Sequence, residues 1–331
     1  MINVDDIVIT PRILNRIAEI DWFTGAWTEG YQRKLTSDDF KAMRDIARIK
    51  SIMASVNIYG VKFSNKDIEN ILNNTEKKTS LMLAEEWCVK GYNELLDTIY
   101  GNYNNTPLSE NYVKQFNQIL FKYSTDTAAT TGEYQNRSKV EQLKELLDWT
   151  NRTLNDGYFH PIITIGVFAA HFWTINPFVN GGDRLLIALI IYLLLKNGYT
   201  YIQYDSLETI IDEEKYYYDR AINETRYTIE YNNPDYDNWL DFFTKLLIQY
   251  KDRVKETIRR QLTLSENKLS TTSRKILEVF VNNYSYIGMG RIVRLTKLKE
   301  ETVRKAVRLL VKKGVLTKRG STNKATYCRN I

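Results

Sequence analysis

Histidine and cysteine are the residues that this sequence has least of. His160 and His171 are the only histidines among 331 residues, so any mechanism that needs a histidine must use one of them. This scarcity argues against Ser-His-Asp hydrolase triads and against metal sites built from several histidines. Cys88 and Cys328 lie far apart and lack the spacing of a metal-binding motif, which argues against a zinc site and against a disulfide framework.

Proline and glycine are scarce as well, with 5 and 15 residues, so we expect a mainly helical chain. Hydrophobic residues make up 43% and charged residues 26% of the sequence, a globular mixture that excludes a disordered or fibrous chain. The longest apolar run, 185–195, holds 11 residues, whereas a bilayer span needs roughly 20; this run is predicted to be a buried helix. Asp5 and Asp6 interrupt the start, where a signal peptide is basic and then apolar, so we expect a cytoplasmic protein without membrane contact.

The charge is divided unevenly along the chain. Residues 270–331 carry 15 lysines and arginines against three glutamates, a net charge of +12, while the rest of the chain carries −6. A small basic module therefore follows a larger, mildly acidic body. This asymmetry points to nucleic acid as a partner of the C-terminal module only.

Apolar residues recur at helical spacings through most of the chain before the basic module. Residues 206–220 are predicted to form one helix, and the polar stretch 124–137 an exposed loop or hairpin. The length allows two or three domains. The predicted divisions are an N-terminal helical region at 1–105, a core at 106–260, a linker at 261–271 and the basic module at 272–331.

The segment with the clearest chemical potential is residues 170–184, AHFWTINPFVNGGDR, read as a helix, a loop and the start of a second helix. A loop of small residues that opens a buried helix presents free backbone N–H groups and the positive end of the helix dipole. Such a loop can hold a phosphate, with Arg184 one turn into the helix as a charge clamp. The alternative is a tight turn between two core helices, without a ligand.

The stretch HPIITIGVFAAHFWTINPFVNGGDR resembles the Fic (Fido) family, whose motif reads H-P-F-x-[DE]-G-N-G-R-x-x-R. Gly132, Glu133 and Tyr134, in the stretch TGEY, resemble the family's flap, and the likeness extends over about residues 10–255. It implies an all-α Fic-type helical bundle with a short flap β-hairpin. It also implies transfer of AMP or a related phosphate-containing group from a nucleotide to a protein hydroxyl, with ATP and Mg²⁺. Relatives often form homodimers, and the resemblance implies a bacterial source.

The motif of this chain departs from the family's at positions that the family uses for chemistry. Asn176 stands at the histidine that takes the proton from the attacking hydroxyl, and an amide is not a base near neutral pH. Asn180 stands at the acidic residue that holds magnesium and offers only a neutral oxygen. Ile187 stands at the second arginine, so one phosphate donor is lost.

The glycine-rich part of the motif is changed too. Gly181 and Arg184 match the family, while Gly182 replaces its asparagine and Asp183 its second glycine. Residues 181–184 remain the predicted phosphate-binding positions. The Asp183 carboxylate nevertheless lies where a phosphate would lie, and we expect it to cap the following helix instead.

Three further positions bear on activity. Many relatives have an inhibitory helix with the pattern S-x-x-x-E-G, and here Tyr59 stands at the position of its glutamate. The flap has Gln135 where relatives often have arginine. His171 is five residues before Asn176 and is a candidate substitute base, although a histidine on a core helix is more often structural.

The basic module resembles a winged helix-turn-helix. Its recognition-type helix is predicted at 300–313, followed by wing strands at Leu316–Arg319 and Thr326–Arg329. The outward face of the helix supplies the predicted DNA-binding residues, Arg304, Lys305, Arg308 and Lys312. The alternative is a winged helix used for protein docking or dimerisation.

Three functions remain in competition. The first is a Fic-like protein without AMP transfer that acts as a regulator or scaffold, through DNA or through a protein target that the sequence does not identify. The second is a divergent transferase that moves another nucleotide or phosphate group onto a protein hydroxyl without a histidine base. The third is residual adenylylation, against which Asn176, Asn180 and Asp183 argue most strongly.

Overall fold

A computed structural model describes residues 2–32, 35–57, 63–73, 86–124, 131–266, 270–281, 286–312, 315–320 and 325–329. Most of these residues are helical. The helices before the C-terminal module are α1 (Pro11–Ala26), α2 (Ser37–Asn57), α3 (Asn65–Asn73), α4 (Glu86–Asn102), α5 (Glu110–Leu120), α6 (Arg137–Asp156), α7 (Pro161–Ile175), α8 (Gly182–Lys196), α9 (Leu207–Glu213), α10 (Lys215–Glu230) and α11 (Asp237–Glu266).

Helices α7 and α8 form the centre of the fold. Residues 162–170 of α7 and residues 184–195 of α8 are all buried. A helix that is apolar all round has to be covered on every side, and α6, α10 and α11 pack against α7 while α4 and α5 pack against α8. The predicted buried helix at 185–195 is thus confirmed, and no helix in the described ranges is both long and apolar enough to cross a membrane.

The segment predicted as one helix at 206–220 is divided into α9 and α10 at Glu214. The break has a tertiary cause, because the Glu214 carboxylate accepts hydrogen bonds from Lys245 and Gln249 of α11, at 3.4 and 3.2 Å. Such contacts between distant parts of the chain leave no signal in the local spacing of apolar residues.

Helix α11 continues to Glu266, into the stretch 261–271 predicted as a linker. Leu262 packs against the core of the helical body, which accounts for the extra helical turn. Gln261 connects the two parts of the chain: its Oε1 accepts from Arg329 Nη2 at 3.0 Å, and its Nε2 donates to Asp39 Oδ1 of α2 at 2.5 Å.

The C-terminal module consists of three helices and a small sheet with a separate core. Its elements in chain order are α12 (Thr271–Val281), β1 (Ile287–Gly288), α13 (Met289–Thr296), α14 (Glu300–Lys312), β2 (Leu316–Arg319) and β3 (Thr326–Arg329). The strands pair antiparallel in the order β1-β3-β2, and Phe280, Ile292, Val303 and Leu310 are among the buried residues beneath them. Strands β2 and β3 have the bounds predicted from the sequence. Strand β1, with two residues, was not predicted.

His160 fixes the start of the central helix α7. Its Nδ1 accepts from the N–H of Ile162 at 3.3 Å, and its Nε2 lies 2.8 Å from Asp21 Oδ2 of α1. A ring nitrogen that accepts carries no proton, so Nε2 is the donor to Asp21. The Tyr199 hydroxyl donates to the other Asp21 oxygen at 3.0 Å, so one carboxylate joins α1 to the start of α7.

We expect His160→Ala to destabilise the protein by about 1–2 kcal/mol, because it removes both the helix cap and the hydrogen bond to Asp21. The loss should lower the melting temperature by a few degrees in calorimetry. His160→Asn is the matched control, since asparagine caps the helix but is too short to reach Asp21, and it should lie between wild type and alanine. An alanine variant as stable as wild type would contradict this role for His160.

Candidate functional site

The candidate site is the loop between α7 and α8, residues 176–181. Asn176 ends α7 in the left-handed conformation, with φ 40° and ψ 69°, and its N–H donates to Phe172 O at 2.8 Å. Asparagine enters this conformation more readily than most side chains. The residue at the position of the family's histidine therefore also terminates the helix.

Two glycines set the path of the loop into α8. Gly181 has φ 74°, and a Cβ added to it would lie 2.5 Å from the Phe121 ring. A Cβ added to Gly182 would lie 2.3 Å from Asn176 Oδ1, so the Asn176 side chain rests against the main chain of Gly182. A larger residue at 182 requires the side chain at 176 to move, which makes these two departures from the Fic motif mutually compatible.

Asp183 does not cap α8, contrary to the sequence-based expectation. Gly181 is the N-cap residue, no side chain caps it, and Asp183 is already the second residue of the helix. A carboxylate there is favoured by the helix dipole without completing a cap. Burial raises the pKa of Tyr218 of α10, and the nearby Asp183 carboxylate raises it further.

Arg184 is buried between aromatic rings. Its guanidinium carbon lies 5.4 Å from the centroid of the Trp87 ring and 5.6 Å from that of Phe121, distances typical of cation–π contacts. The residue predicted as a phosphate clamp is thus held by α4 and the end of α5. One turn further on, Ile187 is buried in the core, so the second arginine position of the Fic motif faces apolar side chains.

The flap runs alongside the loop and pairs with it through main-chain atoms. Gln135 N donates to Pro177 O at 2.9 Å, and Val179 N donates to Glu133 O at 3.0 Å. The Gln135 side chain adds two bonds from Nε2, to the carbonyl oxygens of Asn176 at 2.9 Å and of residue 178 at 3.2 Å. The glutamine that replaces the family's arginine is therefore used to hold the flap onto the loop.

Aromatic stacking also holds the flap against the loop. Tyr134 and Phe178 form a β-bridge, and their rings are stacked with centroids 4.8 Å apart. The Tyr134 hydroxyl donates to Glu110 of α5. The predicted hairpin includes residues 125–130, which are outside the described residues.

Asn117 of α5 joins the flap to the loop and was not predicted as a site residue. Its Oδ1 accepts from Gly132 N, and its Nδ2 donates to the carbonyl oxygen of Asn180, both at 2.9 Å. Asn117 is 1% exposed, and it falls in the apolar register of α5 with Val113 and Leu120. A polar residue in that register was the signal available in the sequence.

Position 180 of the loop offers magnesium a weaker ligand than the resemblance implies. The resemblance places a carboxylate at position 180, where this chain has an amide, and hard divalent cations favour charged oxygen ligands. Within the described residues there is no cluster of three or more His, Cys, Asp or Glu side chains able to hold a metal ion.

The surroundings of His171 argue against a role as substitute base. Its Nε2 lies 2.7 Å from the Tyr236 hydroxyl, next to the start of α11, and burial lowers the pKa of His171 to about 4. His171 lines a cavity of about 800 Å³ bounded by α6, α7 and α10, and a second cavity of about 810 Å³ lies between α10 and α11. Neither of these two cavities is lined by residues 176–184.

The C-terminal module contains the predicted DNA-binding residues, all on α14. Arg304 Nη2 lies 2.6 Å from Glu300 Oε1, and Lys305 Nζ lies 3.0 Å from Glu301 Oε1. Arg308 and Lys312 are exposed further along the same helix. The inhibitory-helix position, Tyr59, lies outside the described residues, just after the end of α2.

Comparison of the whole fold with solved structures identifies Fic proteins. A Fic family protein from Desulfovibrio desulfuricans G20 superposes with a TM-score of 0.63 at 17% identity, covering 98% of both chains. A Fic domain containing signaling protein from Bacteroides thetaiotaomicron VPI-5482 gives 0.54 at 15% identity, over 77% of this chain and 98% of that one. Fic-1 (residues 134–508) from C. elegans gives 0.59 at 15% identity, over 73% of this chain and 71% of that one.

The chain has the Fic fold. No family model matches the sequence, and no curated protein matches it, in keeping with the low identities. Within this Fic fold the flap residues 133–135 pair with the motif loop, whereas Arg184 contacts Trp87 and Phe121 and His171 forms a hydrogen bond with Tyr236. The predicted DNA-binding residues belong to the separate C-terminal module.

Gly181→Ala should destabilise the Fic fold more than Gly157→Ala does. Both glycines have positive φ, at 74° and 65°, so both alanines carry about 1–2 kcal/mol of backbone strain. Only at Gly181 does the new Cβ also meet an aromatic ring, which adds about 1–3 kcal/mol. Urea denaturation of the two variants measures the difference, and equal losses would show that the contact with Phe121 has no energetic weight.

His171 predicts a pH dependence of stability. Because its pKa is near 4 in the folded protein and about 6.5 in the unfolded chain, only the unfolded chain binds this proton between those values. The contribution of His171 to the free energy of unfolding is fully present above pH 6.5. It is lost as the pH drops towards 4, by up to about 3 kcal/mol. The difference between wild type and His171→Gln isolates this contribution from that of the carboxylates, and parallel pH profiles would contradict it.

Proposed function

We propose that this protein is a Fic-fold regulator that does not transfer AMP and that acts in the cytoplasm through DNA bound by its C-terminal module. The observation that supports this most directly is Asn176, an amide that ends α7 and rests on Gly182 where a general base would be required. A neutral amide does not accept a proton from an attacking hydroxyl near pH 7. The histidine that precedes Asn176 on the same helix, His171, is hydrogen-bonded to Tyr236.

Nucleotide binding is disfavoured by charge. The Asp183 carboxylate lies in the first turn of α8, where the phosphates would come close. Two unit charges about 4 Å apart at an effective dielectric constant of 20 repel by roughly 4 kcal/mol, which weakens binding about a thousandfold if nothing offsets it. Arg184, which would offset it, is buried against Trp87 and Phe121.

The start of α8 favours a second candidate function, a divergent transferase of a nucleotide or phosphate group. Gly181 offers no side chain to cap the helix, and free N–H groups at a helix start bind anions. On this alternative the loop positions a phosphate ligand beside a protein hydroxyl, and positioning alone supplies the rate enhancement.

Calorimetric titration with ATP and magnesium separates the two functions. We expect no detectable heat up to about millimolar nucleotide, which corresponds to a binding free energy weaker than about −4 kcal/mol. Asp183→Gly should restore measurable binding because it removes the repulsion, and Asp183→Asn should do so without changing the shape of the loop. Micromolar binding by the wild type would instead support the divergent transferase.

The fourfold variant Asn176→His, Asn180→Asp, Gly182→Asn and Asp183→Gly tests whether only the motif has been lost. Residues 176 and 182 are changed together because a side chain at 182 would overlap the present position of Asn176 Oδ1. Transfer of labelled AMP by this variant, and none by wild type, would support the loss of a former activity. Equal transfer by both would contradict the proposal that the wild type is inactive.

A further inference from the structure

In the first two turns of α14 the acidic and basic side chains pair with each other. In a helix-turn-helix these turns enter the major groove and supply the side chains that contact bases. Here Glu300 pairs with Arg304 and Glu301 with Lys305, each four residues apart on the exposed face. The four charges cancel, and the donors suited to a guanine edge are already paired with carboxylates.

These ion pairs are weak, and DNA could break them, but their carboxylates would remain. Exposed pairs of this kind contribute little to stability. Arg304 could reach a base edge only by leaving Glu300 unpaired close to the phosphates, and the same holds for Lys305 and Glu301. Contacts from this part of α14 to bases therefore weaken binding, because they leave carboxylates unpaired. Contacts to phosphates alone do not have this cost.

Positive charge without such partners lies on α14 beyond these turns and on the neighbouring segments of the chain. Of the exposed lysines and arginines of this module that form no ion pair with the described residues, six lie on α14 or close to it in sequence: Lys297 and Lys299 before α14, Arg308 and Lys312 in its second half, and Lys318 and Arg319 on β2. Strand β2 is an edge strand of the sheet. The Arg319 guanidinium lies 5.7 Å from the centroid of the Tyr286 ring, which restrains that side chain before any ligand arrives.

We infer that the C-terminal module binds duplex DNA through its phosphates and without selecting a base sequence, with Lys318 and Arg319 of β2 as additional contacts. The inference rests on the proposed function, since it specifies how the same module binds DNA. Phosphate contacts hold a protein on the duplex but carry no sequence information. Exposed cations on α14, before it and on β2, together with a helix start whose charges cancel, are the combination that such binding needs.

Fluorescence anisotropy of the full-length protein with short labelled duplexes of different sequence tests this inference. We expect dissociation constants that agree within about threefold across sequences. Between about 50 and 200 mM salt, the slope of log affinity against log salt should be about −5 if all six cations contact phosphates. The paired variant Lys318→Ala with Arg319→Ala should reduce the slope by about 2.

Two variants of α14 serve as matched controls, and circular dichroism checks that all variants fold. Arg304→Ala with Lys305→Ala should weaken binding to all duplexes alike, because it leaves Glu300 and Glu301 unpaired near the phosphates, whereas Glu300→Gln with Glu301→Gln should strengthen binding to all duplexes by removing those charges. A duplex chosen by selection from random sequences and bound more than about a hundredfold tighter than the others, with the preference lost in the Arg304 and Lys305 variant, would overturn the inference but keep DNA binding. Absence of binding to every duplex at low salt would overturn both.

Discussion

The packing of α7 against α8 is the constraint on which the rest of the site depends. Both helices are buried almost all round, so their positions are fixed by apolar packing on every side. The chain between them has six residues in which to reverse, and it does so with left-handed conformations at Asn176 and Gly181. The shape of the loop is therefore dictated by the helices that it connects, and not by the chemistry of the side chains that it carries.

Because the helices set the shape of the loop, the site can keep its shape while its functional residues change. The flap is held by main-chain atoms of the loop, by the Gln135 side chain acting on carbonyl oxygens, and by Asn117 between Gly132 and the carbonyl of Asn180. Backbone N–H and C=O groups are present whatever the residue type. A histidine or an acid can consequently be replaced within this loop without loss of the hydrogen bonds that position it.

The parts of the structure that could be predicted from sequence are those set by local pattern. The apolar run of α8, the glycine-rich turn before it and strands β2 and β3 follow from spacing and turn residues. The break at Glu214, the burial of Arg184 between Trp87 and Phe121, and the role of Asn117 depend on residues far apart in the chain, which no local pattern records. The expectation that Asp183 caps α8 was wrong, because the N-cap residue is Gly181, two positions earlier. Gly181 adopts the left-handed conformation, so the helix begins before Asp183.

The helical body and the C-terminal module are connected through the side chain of Gln261. Gln261 lies between a cation on the last strand, Arg329, and an anion at the start of α2, Asp39, and bonds to both. Hydrogen bonds with a charged partner are stronger than neutral ones, and Arg329 is only 9% exposed, so solvent competes weakly for this contact. Because the amide separates the opposite charges, neither side chain needs to leave its own body to reach the other. The basic module is thereby held to the acidic body at a defined point, the start of α2.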